Sequence, residues 1–182
     1  MQSKILLTEQ SIIFGEIPSI LKLDLDRIKT NIVKNYAFGN FKSNDDFNYH
    51  KDYLKIDDDQ HITWLLDYIR DHYRAEYERT PILTHRAGLL QNKGQMINTH
   101  HHIDCFDLWN SPDISCVYTV DTGPQPVFLH FEYEKGREKH ARWKIPLLKN
   151  RYVIFNSDLN HYFSANKNTD PIVNLSFQFQ LL

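Results

Sequence analysis

A chain of 182 residues is long enough to bury a substantial core as one domain without disulfides or a structural metal. With 41% hydrophobic and 24% charged residues and a formal net charge of −2, it has a soluble, globular composition and no bulk basic field for nucleic acid or an anionic membrane. It has no apolar run of the ~18–20 residues that span a bilayer and no apolar leader of secretory type in residues 1–10, and its two cysteines, Cys105 and Cys116, form no CxxC pair; a reduced, cytoplasmic setting is expected.

The first half reads as mixed or helical. A short strand is expected over Ile17–Leu25, after which Asp24 or Asp26 opens a helix toward Tyr36, with Ile28, Ile32, Val33 and Tyr36 at helical spacing. The polar, acidic stretch from Asn40 to Asp59 reads as surface loop. The run Asp57-Asp58-Asp59 then supplies the N-cap and first-turn carboxylates of a second helix, whose buried stripe is Ile62, Leu65, Leu66, Ile69, Tyr73 and Tyr77, and Pro81 follows its end.

Beyond Pro81 the texture changes to short β-type segments. Strands are expected near 83–91, 95–104, 114–120, 126–134, 140–147, 151–156, 160–164 and 171–181, with turn residues at Gly94, Asp121-Thr122-Gly123, Lys135-Gly136 and Lys149-Asn150 between them. Regularly spaced short strands of this kind predict a closed double-sheet barrel or a jelly roll. With no linker and no repeat, one domain over 1–182 is expected: a mixed support region over 1–81 and a β core over 82–182.

Ten histidines is a high count, and His100, His101 and His102 are consecutive. His102-Ile103-Asp104 is an HxD pair, and residues i and i+2 of a strand point to one face, so both could meet one ion. His161 follows the hydrophobic segment Val153–Phe155. Two imidazoles and a carboxylate on one side of an octahedron leave open positions, the arrangement of non-haem Fe(II) oxygenases. The register is not unique, because His100 and His102 form an HxH pair that could present two imidazoles with Asp104 outside. Asp107 is a further carboxylate candidate, and a histidine cluster can also be a solvated loop.

From Gly94 onward the chain resembles the 2-oxoglutarate and Fe(II)-dependent oxygenases, particularly their small prolyl-hydroxylase-like members. The resemblance is carried by Gly94 and the His-rich HxHxD stretch, then by Ser115–Val120, Pro126–Leu129 and Pro146–Phe155, and finally by His161 and Ile172–Gln178. It implies a mainly β double-stranded β-helix, a jelly-roll or cupin-like barrel with N-terminal buttressing helices. It also implies iron held by His102, Asp104 and His161, 2-oxoglutarate as a small-molecule co-substrate, and hydroxylation of a protein side chain or small molecule.

One departure stands out. Such enzymes usually anchor the far carboxylate of 2-oxoglutarate on an Arg or Lys of the last strand, often in an RxS pattern, since a buried carboxylate without a partner costs several kcal/mol. Here the corresponding strand offers Asn174-Leu175-Ser176, and no Arg or Lys follows Lys167. A cation from another strand, Arg142, Lys144 or Arg151, aided by Tyr118, Asn174 and Ser176, is one expectation. The alternatives are a different oxo acid, or a metal-binding β-barrel that works without 2-oxoglutarate or without catalysis.

Overall fold

The computed structural model describes residues 11–40, 56, 59–134 and 140–182. Most of the expected 40–59 loop, the first ten residues and the Lys135-Gly136 turn lie outside them. Among the described residues no helix is long and apolar enough to cross a membrane.

The chain opens with β1 (Ile12–Glu16) and a 3₁₀ turn at Ser19–Leu21, followed by α1 (Leu25–Asn40) and α2 (Gln60–Tyr77). The strand expected over Ile17–Leu25 therefore lies earlier in the chain. Pro18 has no N–H for a ladder and precedes the 3₁₀ turn, whereas Ile12–Glu16 pairs in full with residues 151–155. Asp59 caps α2 as expected, its Oδ1 accepting from the His61 N–H at 2.8 Å. Its other oxygen takes Arg27 Nε at 2.7 Å, which ties the two helices together.

Eight further strands follow: β2 (Pro81–Gln91), β3 (Ile97–His100), β4 (Ile114–Asp121), β5 (Phe128–Glu134), β6 (His140–Pro146), β7 (Arg151–Asn156), β8 (Asn160–Phe163) and β9 (Ile172–Leu181). They form two antiparallel sheets, ordered β1-β7-β4-β9-β2 and β3-β8-β5-β6. From β2 to β9 the chain alternates between the sheets, except at the β5–β6 hairpin within the smaller one, in the winding of a double-stranded β-helix. Among the described strands no ladder joins one sheet to the other, so the architecture is an open double sheet, and the closed barrel is not found.

Side-chain alternation divides the apolar residues into two cores. Cys116, Tyr118, Val120, Tyr152, Ile154, Val173, Leu175, Phe177 and Phe179 face the helices. Leu89, Val117, Leu129, Phe131, Val153, Phe155, Phe163 and Ile172 fill the space between the sheets. β4 is buried on both faces because helices cover one side and the smaller sheet the other. At Gly88 a Cβ would stand 3.0 Å from the Ile32 methyl, so α1 rests directly on the β2 backbone.

Candidate metal centre

The strand expected over 95–104 stops at His100, where the Cα of His100 faces that of His161 on β8. The chain then leaves the sheet, and the His102 N–H donates to Ser157 O at 2.8 Å. This turn, rather than a continuing strand, brings His102 back beside its neighbours. One ring nitrogen each from His100, His102 and His161 lies within 4.8 Å of the other two. The ring centroids are 5.1 Å apart for His100–His102, 4.1 Å for His100–His161 and 4.9 Å for His102–His161.

Each imidazole is oriented by a contact at Nδ1. His100 donates to Asn98 O at 2.8 Å and His161 to Leu159 O at 2.9 Å. His102 meets the Ser115 hydroxyl at 2.6 Å, and that hydroxyl continues to Ser157 Oγ at 2.7 Å. Where a carbonyl accepts from Nδ1, the ring carries its proton there and Nε2 keeps its lone pair. Outer contacts of this kind fix tautomer and ring plane in metal-binding histidines. The site is walled by Phe155, whose ring is 4.6 Å from that of His161, and Phe131, which packs edge-on against Phe155 at 5.0 Å.

Burial keeps the His102 and His161 imidazoles neutral. Burial, then the neighbouring His100, His85 and His101, lowers the His102 pKa to about 3. His161, 1% exposed, is held well below the ordinary histidine value by burial and then by His100 and His102. Neutral rings are what metal binding requires, since a protonated ring offers no lone pair.

Asp104 lies outside this cluster. Its N–H donates to Ser111 Oγ at 2.8 Å, and its Oδ1 accepts from the Phe106 N–H at 2.9 Å, a local turn on an exposed loop. Asp107 makes the equivalent contacts with Asn110. The loop also displays Phe106, Leu108 and Trp109, the last 91% exposed with its carbonyl accepting from Gln180. His130 stacks on Tyr162 at 4.5 Å, on the side of β5 facing away from the other sheet.

The co-substrate candidates separate. Tyr118 belongs to the helix-side core, its hydroxyl donating to Asn150 Oδ1 at 2.8 Å. Lys144 is exposed, with its ammonium 4.9 Å from the centre of the Phe128 ring. Arg142 pairs with Glu132, and Arg151 with Glu16. Asn174 and Ser176 are buried, with Ile172 of the inter-sheet core on the same strand face. Sequence reading missed Ser115 and Ser157; small hydroxyl residues flanking β-type apolar runs were their only signal.

The fold is that of the 2-oxoglutarate-dependent non-haem oxygenases. A prolyl-4-hydroxylase from Pseudomonas putida superposes with a TM-score of 0.63 at 12% identity, over 94% of this chain and 88% of its own. The non-haem α-ketoglutarate-dependent carbocyclase SnoK of nogalamycin biosynthesis gives 0.64 at 8% identity, over 94% and 79%. The nickel complex of the non-haem monooxygenase ThoJ gives 0.61 at 9% identity, over 94% and 74%. No family model and no curated protein matches the chain by sequence.

That fold implies a metal and 2-oxoglutarate, and the described residues answer the two differently. Three converging imidazoles suit Fe, Ni, Cu or Zn. For the co-substrate, the buried charged and polar residues include no Lys or Arg among those described, so the distal carboxylate finds no buried cation. Among the described residues the imidazoles fit a metal, and no fully buried Lys or Arg stands ready for the distal carboxylate.

Proposed function

We propose that this protein is a non-haem, metal-dependent oxygenase that oxidises an organic substrate at a site built from His100, His102 and His161. The observation that carries the proposal is the convergence of three imidazoles within 4.8 Å, each already bonded at Nδ1. Bound Fe(II) would supply activation of dioxygen. The chain's own part is to orient three neutral nitrogens through Asn98, Ser115 and Leu159 and to keep water from one side with Phe131 and Phe155. The loop bearing Phe106, Leu108 and Trp109 offers an apolar rim to the substrate. Hydroxylation is the form of oxidation that the sequence resemblance implies. The unpaired Cys105 and Cys116 suit a reducing cytoplasm.

Anaerobic titration with Co(II) or Fe(II) tests the ligand set. One equivalent should bind; His100→Ala or His161→Ala should weaken it at least about tenfold, and Asp104→Asn should change it less than about twofold. Loss of binding in Asp104→Asn with retention in His100→Ala would return the site to the HxD register. A second reading, a metal-binding module without catalysis, is favoured by the absence of a buried Lys or Arg among the described residues. Oxygen uptake by the Fe(II)-loaded protein in the presence of a reductant decides between them.

A further inference from the structure

Descending from the histidines, the inner face of β9 presents Gln178, Ser176 and Asn174, opposite Ser115, Val117 and Thr119 of β4. Ser115 is the hydroxyl that holds His102. Ser176, Asn174 and Thr119 are 2%, 1% and 1% exposed, and Leu89 of β2 flanks Asn174 on its other side. The Asn174 Oδ1 is buried without a hydrogen-bond partner. The same is true of the Oε1 of Gln91, one same-face step along β2 from Leu89. Gln91 spends its amide nitrogen on Gln95 O and Ser164 O, both at 2.7 Å, so its oxygen is the group left over.

Two buried carbonyl oxygens on adjacent strands therefore lack donors. A buried acceptor left without a donor carries its full desolvation cost, so such a pair points to a donor that the protein does not supply. A carboxylate would add two more acceptors beside these oxygens, with only neutral donors, the Asn174 N–H groups and the Ser176 and Thr119 hydroxyls, to receive it. A primary carboxamide has two N–H groups for the two oxygens, and its carbonyl can accept from the Ser176 or Thr119 hydroxyl. At the histidine end, three neutral imidazoles leave the full double charge of a divalent ion, which favours an anionic chelating head.

We propose, on the basis of the three-histidine reading, that the inner end of this site takes the neutral carboxamide tail of an oxo-acid-type ligand in place of the carboxylate of 2-oxoglutarate. Asn174 and Gln91 are the acceptors; Ser176 and Thr119 are the donors.

The test uses the full chain loaded with Ni(II) and two calorimetric probes: N-oxalylglycine, an isostere of 2-oxoglutarate, and N-oxalylglycinamide, which differs only in its distal group. The amide should bind at least about tenfold tighter. Asn174→Leu removes an acceptor without adding charge and should bring the two affinities within about threefold while Ni(II) uptake is unchanged. Equal or tighter binding of N-oxalylglycine, binding of neither probe, or preference for the ammonium-tailed N-oxalylethylenediamine would overturn the proposal. Ni(II) uptake is titrated before any probe is added. Failure of the histidine site then shows as absent uptake, and failure of the tail assignment as uptake with the wrong preference.

Discussion

His102 is held from two directions, its backbone by Ser157 O and its ring by the Ser115 hydroxyl, which in turn contacts Ser157 Oγ. Ser115→Ala removes the hydroxyl that meets the ring's Nδ1 and leaves β4 intact. Metal affinity should fall about 10–100-fold, the usual cost of losing an outer contact to a ligand, with little change in thermal stability of the metal-free protein. Competition against a chromogenic chelator measures it; an unchanged affinity would mean that His102 is positioned by its backbone alone. The sequence singled out the three histidines that the structure brings together but left their register open. The i, i+2 argument for His102 and Asp104 presumed a strand running through 104, and the strand ends at His100 because the His102 N–H turns to Ser157 instead of continuing the ladder. A contact 55 residues away in sequence leaves no trace in the local HxHxD pattern.

At the level of elements, α1 is joined to the larger sheet by packing and by the Lys29–Asp121 ion pair. Where α1 meets β2, the Ile32 methyl lies 3.0 Å from a Cβ built on Gly88. Gly88→Val should therefore overpack this contact and cost about 1–3 kcal/mol in urea unfolding; a loss below about 0.5 kcal/mol would show that α1 can lift away. Lys29 Nζ bonds Asp121 Oδ2 at 2.6 Å across the same interface. Burial pushes the Asp121 pKa up, but the Lys29 hydrogen bond and the Lys29 and Lys149 charges outweigh it and hold the carboxyl below its ordinary value. A carboxyl depressed on folding contributes stability above its unfolded pKa and loses it as pH falls through the folded value. The Tm gap between wild type and Asp121→Asn should be open at pH 7 and narrow as pH falls below the ordinary carboxylate range; a gap of constant size would assign it to packing. The interface is part legible, part hidden in sequence. Helical spacing gave Ile28 and Ile32, whereas the strand first read at Ile17–Leu25 stands at Ile12–Glu16, because an edge strand's position depends on the partner that it finds.

Over the whole molecule, the larger sheet separates two cores that do different work. The helix-side core, with Phe177 and Phe179, supports the fold from the helix-covered face of the larger sheet. The inter-sheet core supports both fold and site, since Phe155 and Phe131 belong to it and also wall the site. The turn-separated β-type segments made the strands visible in sequence, but could not say which face held the histidines, because that depends on how the chain winds between sheets. The division has a measurable consequence. Phe155→Leu and Phe177→Leu each remove part of a fully buried ring and should cost on the order of 1–3 kcal/mol in the metal-free protein. An ion that binds the folded state alone raises Tm according to its affinity. The Ni(II)-induced rise in Tm should therefore persist in Phe177→Leu and shrink in Phe155→Leu, where the His161 ring loses its wall. Equal rises in both variants would detach the metal site from the inter-sheet core and leave the histidines positioned by their Nδ1 contacts alone.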